Sequence, residues 1–206
     1  MIPLVVASRN QKKVNELQAI LSGTAIKAIS VAELPGAPEV IEDGSTFEEN
    51  AAKKAVAIAR WSGKLALADD SGLCVDALNG APGVYSARFA GESQDDEKNC
   101  VKLLQEMDNI SDDKRGAAFV CVVVIAAPDG RVIGSSRGEC RGRIARESRG
   151  LFGFGYDPIF IDPQSGKHFA ELEPDVKNKI SHRARALEKA KGILTAYRLG
   201  LPAGGL

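Results

Sequence analysis

The chain has 206 residues, enough for one large domain or two small ones at about 100–200 residues per domain. Hydrophobic residues make up 44% and charged residues 26%, which excludes collagen-like, mucin-like and wholly disordered chains. Lysine plus arginine equals aspartate plus glutamate at 27 each, so the basic excess of a duplex-binding protein is missing, although balanced totals leave room for a local patch.

Residues 2–7 form an apolar run that reads as a buried strand, and it hands over at Ser8-Arg9-Asn10 to a helix. That helix carries Val14, Leu17, Ile20 and Leu21 at helical spacing and stops at Gly23. Residues 25–31 read as a second strand, and residues 35–44 as a loop rich in proline, glycine and acid. Ser45 or Thr46 caps a long helix; each has a glutamate three residues on, as a capping box requires. Alanine-rich turns carry this helix to about Trp61, and Gly63 ends it.

Residues 65–68 form another apolar strand, ending in Asp69-Asp70-Ser71-Gly72, and residues 74–78 pair nearby. Residues 80–83 read as a turn, and residues 94–107 as an amphipathic helix. Residues 117–127 and 131–141 flank Pro128-Asp129-Gly130, a hairpin signal. Residues 150–158 are a glycine-aromatic loop. Pro174 or Asp175 opens the last helical region, through Ala184, Leu187, Ala190 and Leu194, and the tail after Gly200 is expected to fray. A strand–helix–strand opening with a later hairpin predicts a mixed α/β chain whose sheet has parallel and antiparallel strands.

Cys74, Cys100, Cys121 and Cys140 form no C-x-x-C pair, so they read as buried apolar groups in a reducing compartment rather than a zinc site. The longest apolar run, residues 119–127, has strand length and is too short for a membrane span. The first residues show neither a basic lead nor a signal-peptide core, so a cytoplasmic protein is expected.

Five stretches carry chemistry. Residues 8–13 (Ser8, Arg9, Asn10, Gln11, Lys12, Lys13) lie where a strand feeds a helix, where unpaired backbone N–H groups and the helix dipole favour an anion. The hydroxyl, amide and lysines suit a phosphate cradle, though no Walker A pattern is present; a capped helix with solvated lysines is the competing reading. Asp69 and Asp70 point to opposite faces if their strand persists, so one can face a ligand, as a Mg²⁺ ligand or a proton acceptor; an acidic turn is the alternative. Glu39, Glu42 and Asp43 can complete a metal site, whereas Glu48 and Glu49 complement a helix N-terminus and Lys53 pairs with Glu49 one turn away.

In Gly153-Phe154-Gly155-Tyr156-Asp157-Pro158, glycines admit a ligand close to the backbone, a ring can stack on a base, and Asp157 can accept from ring N–H groups. Either ring could instead plug the core. Lys177 suits phosphate or carbonyl oxygen, and His182 and Arg183 are donors suited to a carbonyl; a capped helix start with Ser181 is the alternative.

Together these stretches resemble the HAM1/RdgB-type inosine triphosphate pyrophosphatases, the non-canonical purine nucleoside triphosphate pyrophosphatases. The matching segments are residues 7–13, 46–55, 68–73, 80–88, 152–158 and 180–183, in family order over nearly the whole chain. The resemblance implies a single nucleotide pyrophosphatase domain over residues 1–206. Its fold would be α/β, a mixed sheet flanked by helices, elongated and two-lobed with a central substrate cleft, usually as a homodimer. It implies Mg²⁺-dependent hydrolysis of ITP, dITP and XTP to monophosphate and pyrophosphate, with no membrane or direct nucleic-acid partner. Carried over by motif, residues 8–13 bind the triphosphate, Asp70 is proton acceptor and Mg²⁺ ligand, and Ser71 touches substrate. Phe154, Gly155, Tyr156 and Asp157 hold the nucleoside, and Lys177, His182 and Arg183 close on the base.

Two positions depart from the family pattern. Ser8-Arg9-Asn10 stands where the family commonly has Thr-Gly-Asn or Thr-His-Asn. Ile41 stands where the first of an acidic pair is usual, so Glu42, or Glu39 in its place, supplies any second carboxylate. Donors on His182 and Arg183 would reward a 6-oxo purine over adenine, and either Phe154 or Tyr156 can stack. A non-catalytic nucleotide sensor and a pyrophosphatase for other nucleotides are the alternatives.

Overall fold

The computed structural model describes residues 1–173, 176, 177 and 180–200. Its elements run β1 (Ile2–Val6), α1 (Gln11–Ile20), β2 (Ile26–Ser30), α2 (Phe47–Ser62), β3 (Leu65–Val75), α3 (Asp96–Glu106), β4 (Gly116–Ala126), β5 (Val132–Ile144), β6 (Phe160–Ile161) and α4 (His182–Arg198). Among the described residues a six-stranded sheet has the order β2-β1-β3-β4-β5-β6. β1 is parallel to β2 (Ile2 opposite Ile26) and to β3 (Leu4 opposite Leu65), while β6 is antiparallel to β5. The mixed α/β expectation therefore holds. β4 and β5 form the expected hairpin, closed by the Ala127 N–H on Arg131 O and the Gly130 N–H on Ala127 O. The expected helix start at Pro174 or Asp175 and the tail after Gly200 lie outside the described residues.

The chain divides into two compact units. The first comprises Met1–Asp70, Cys121–Gly138 and Ala184–Leu206, and the second Ser71–Val120 and Glu139–Arg183. In the first, Leu4 and Val6 of β1 and Leu65 and Leu67 of β3 are buried with Val14 and Leu17 of α1 and Leu187 and Leu194 of α4. Strand alternation turns Val5, Ala66 and Ala68 to the other face. α2 lies on that face, since its Asn50 side chain donates to Asp70, which shares the face of Ala66 and Ala68. Thr46 is the cap that α2 uses, accepting from the Glu49 N–H at 3.1 Å, while Glu49 accepts from the backbone and hydroxyl of Ser45.

The second unit has an aromatic core. Phe119 lies 4.6 Å from Phe160 and 5.8 Å from Phe169 between ring centroids, with Leu73, Val75, Leu103 and Ile144 around them. Within it Arg115 is 2% exposed, and its guanidinium donates to the carbonyls of Met107, Ile110, Ile144 and Ala145.

Two local expectations are corrected. Asp69-Asp70-Ser71-Gly72 is not a strand end: β3 continues through it to Val75 as one strand of 11 residues. Turn-forming residues stay extended there because strand pairing and cross-element ion pairs outweigh local preference. Lys53 pairs with Asp43 at 2.6 Å rather than with Glu49, whose carboxylate is taken by Ser45. The four cysteines carry free thiols, three of them buried, as expected.

Candidate active site

β1 delivers residues 8–13 to the start of α1. The Ser8 hydroxyl oxygen accepts the Asn10 N–H at 3.1 Å, and the Asn10 side chain caps α1 by accepting the Lys12 N–H at 3.0 Å. Both bonds use only the oxygen, so neither consumes the hydroxyl or amide hydrogens. Ser30 donates its hydroxyl to Ser8 O at 3.0 Å and ties the turn to the end of β2. α2 and α3 carry acidic residues in their first turns; α1 carries none and has Lys12 and Lys13 instead. The positive end of α1 is thus reinforced by cations, the arrangement that favours an anion. Arg9 is exposed and lines a cavity of about 450 Å³ together with Glu39, Glu42 and Lys54.

Because β3 stays extended, Asp69 and Asp70 leave it on opposite faces, as alternation requires. Asp69 shares the face of Leu65 and Leu67, where α1 packs, and pairs with Lys13 at 2.8 Å. Asp70 shares the face of Ala66 and Ala68, where it accepts from the Asn50 side chain at 3.1 Å and lies 3.8 Å from the Lys54 ammonium. Lys54 also holds Glu42 at 2.8 Å. Burial pushes the Asp70 carboxyl up to about 6, and the charges of Glu42 and Asp69 act the same way, against the pull of Lys54 and Asn50. Asp70 and Glu42 thus lie on one lysine, while Ile41 is 76% exposed and offers no ligand atom.

Asn50 and Lys54 were missed in the sequence. Asn50 is 1% exposed on the same helix as buried Phe47, Ala51, Ala55 and Ile58; its second bond accepts the Gly44 N–H at 2.7 Å. The available signal was a polar residue on the apolar stripe of α2, with Lys54 one turn further along.

The second unit holds the other candidates. Ser71 follows Asp70 in β3. In the glycine-aromatic loop the two rings separate: Tyr156 is 4% exposed and donates its hydroxyl to Ser86 O at 2.8 Å, whereas Phe154 is 60% exposed. Tyr156 is therefore the core plug. The Phe154 N–H donates to Asp157 Oδ2 at 2.8 Å, and Lys177 donates to the same oxygen with its ammonium 4.6 Å from the centre of the Phe154 ring. Burial raises the Asp157 carboxyl above the usual carboxylate range, against the pull of Lys177. Gly153 has φ +86°, and a Cβ there would meet Asp157 Oδ2 at 2.1 Å, so glycine is required beside this carboxylate. His182 and Arg183 start α4; both are buried, and the His182 ring stacks on Phe119 at 5.1 Å. A hollow of about 570 Å³ along α3, lined by Asp95, Lys98 and Lys102, contains none of the expected residues.

Residues 4–193 match the model of the Ham1 family. A dITP/XTP pyrophosphatase of Desulforamulus reducens is 54% identical over 191 residues, covering 93% of this chain and 94% of that protein. The dITP/XTP pyrophosphatase of Bacillus subtilis is 47% identical over 192 residues, covering 93% and 96%. The solved structure of a HAM1 protein from Coxiella burnetii is similar with a TM-score of 0.89 at 44% identity, covering 95% of this chain and 99% of that one. The Ham1 protein of Staphylococcus aureus gives a TM-score of 0.87 at 43% identity, over 95% and 99%.

Proposed function

The chain belongs to the Ham1 family, and on that premise we propose that it hydrolyses non-canonical purine nucleoside triphosphates (ITP, dITP and XTP) to the monophosphate and pyrophosphate. The observation that carries the chemistry is Asp70: a mostly buried carboxylate, raised to about 6, bonded by Asn50 and beside Lys54. Such a group is ionised at neutral pH yet basic enough to take a proton from water. The near relatives named dITP/XTP pyrophosphatase supply the substrate class.

In this reading residues 8–13 take the triphosphate. The Gln11 and Lys13 backbone N–H groups at the start of α1, the Ser8 hydroxyl and the Asn10 amide donate to phosphate oxygens, and Arg9, Gln11, Lys12 and Lys13 add side-chain donors and charge. Asp70 accepts the proton of a water that attacks the α-phosphorus in line. The bond from that phosphorus to the bridging oxygen breaks, and pyrophosphate leaves with its negative charge stabilised by Lys12 and Lys13.

Asp70 and Glu42 suit a Mg²⁺ ion. They are hard oxygen donors; burial chiefly, and the Glu42 charge in smaller part, raises Asp70, a cation would relieve both, and Mg²⁺ is commonly bound through one or two carboxylates plus substrate phosphates. Mg²⁺ bound there would offset triphosphate charge.

For the nucleoside, Ser71 contacts substrate, the exposed Phe154 ring stacks on the base, and Gly155, Tyr156 and Asp157 shape the loop. Lys177, His182 and Arg183 donate to a 6-oxo group, which hypoxanthine and xanthine present and adenine does not. A cytoplasmic homodimer acting on free nucleotides completes the reading.

Pyrophosphate release from ITP, dITP, XTP, GTP and ATP, with Mg²⁺ and with EDTA, tests it. Mg²⁺-dependent release from ITP, dITP and XTP with ATP far slower is expected. Equal release from ATP removes the role of His182 and Arg183, and no release from any substrate leaves a nucleotide sensor.

A further inference from the structure

On the reading that Phe154 stacks on the purine, we propose that Asp96 is a positioning residue for base recognition, holding the peptide that follows the stacking ring. Asp96 is the first residue of α3, and Asp95 before it already caps that helix by accepting the Lys98 N–H. Asp96 is therefore not needed as the cap. Its Oδ2 instead accepts the Gly155 N–H at 2.7 Å, from a loop 59 residues away in sequence.

One turn along the same helix, the Cys100 thiol donates to Gly155 O at 3.3 Å. The preceding amide, Phe154 N–H, goes to Asp157. The amides on both sides of the Phe154 α-carbon are thus held by carboxylates from different segments. The ring itself is 60% exposed, with the Lys177 ammonium over it. Its direction is set through the backbone rather than by burial.

The flanking glycines sharpen the point. Gly153 at φ +86° and Gly155 at φ +60° have no side chains to pack, so hydrogen bonds must fix the course of the loop. Without the Asp96 bond the loop samples more conformers, and the substrate must order it on binding. That cost falls on base binding and not on displacement at phosphorus.

The test compares Asp96→Ala with Asp96→Asn, whose amide oxygen still accepts from Gly155. Asp96→Ala is expected to raise KM for ITP about tenfold while kcat stays within about twofold. Asp96→Asn is expected to restore KM. A role through the helix dipole would make Asn as poor as Ala, because both lose the charge, and that result overturns the proposal. So does a wild-type KM in Asp96→Ala. Hydrogen exchange at the Gly155 amide, read by NMR, needs no substrate: it should accelerate about tenfold in Asp96→Ala and not in Asp96→Asn. If wild-type protein is inert toward ITP, the purine assignment fails, and exchange alone decides the clamp; unchanged exchange in Asp96→Ala overturns it.

Discussion

Asp70 has to be charged to accept a proton, yet its surroundings penalise the charge. Its folded value of about 6 lies above the ordinary 3.8, so between about pH 4 and 6 the folded chain binds more proton than the unfolded one. Stability from this group is therefore present at low pH and lost as pH rises through 6. Asp70→Asn removes the penalty. In EDTA, urea denaturation at pH 8 should find Asp70→Asn more stable than wild type by about 3 kcal/mol, with the gap closing toward pH 4. The same substitution removes the proposed proton acceptor, so kcat for ITP should fall about 10³-fold or more. A more stable and nearly inactive protein separates a catalytic carboxylate from a structural one; near-normal turnover removes the role. The sequence exposed Asp70 as one of two adjacent carboxylates after an apolar run, but its partners Asn50 and Lys54 lie 20 and 16 residues earlier on a helix whose register only packing fixes.

Elements differ in how local their determinants are. α2 was legible because its cap, its alanine-rich body and its glycine stop follow one another in the chain. Thr46→Ala should cost about 1 kcal/mol in denaturation midpoint analysis, the usual worth of such a cap. The sequence points to a shorter β3 because Asp, Asp, Ser and Gly favour turns, while the partners that keep it extended are distant in sequence. Arg115 is the clearest case of illegibility. It sits in the polar run Asp112-Asp113-Lys114-Arg115, where nothing local marks burial, yet it joins the end of α3 to the end of β5 through backbone carbonyls. Arg115→Met fills some of the volume and removes the guanidinium donors from those carbonyls, of which Met107 O keeps the Ile110 N–H. A loss of about 3–5 kcal/mol is expected, several times that of Thr46→Ala. Comparable losses in the two variants would show that water replaces the guanidinium.

At the scale of the molecule the division into two units has no mark in composition. The first unit gathers three chain segments, and the boundaries fall within β3, β4, β5 and α4 rather than in a linker. What the sequence did show was the order of its motifs: residues 8–13 and Asp70 in the first unit, Phe154, Lys177, His182 and Arg183 in the second. The proposed roles divide the same way, phosphate to one set and base to the other, and this makes a prediction about ratios. Lys12 is exposed in the first turn of α1, and a triphosphate is common to every substrate. Lys12→Ala should lower kcat/KM for ITP and ATP alike, by about three- to tenfold, leaving their ratio unchanged. Arg183→Ala removes the donor proposed to meet a 6-oxo group, so it should lower ITP turnover about 10- to 100-fold more than ATP turnover. Because each ratio is taken on one enzyme preparation, any loss of folded protein from replacing buried Arg183 cancels. A ratio that shifts in Lys12→Ala, or holds in Arg183→Ala, would mean that base selection does not reside in the second unit's donors.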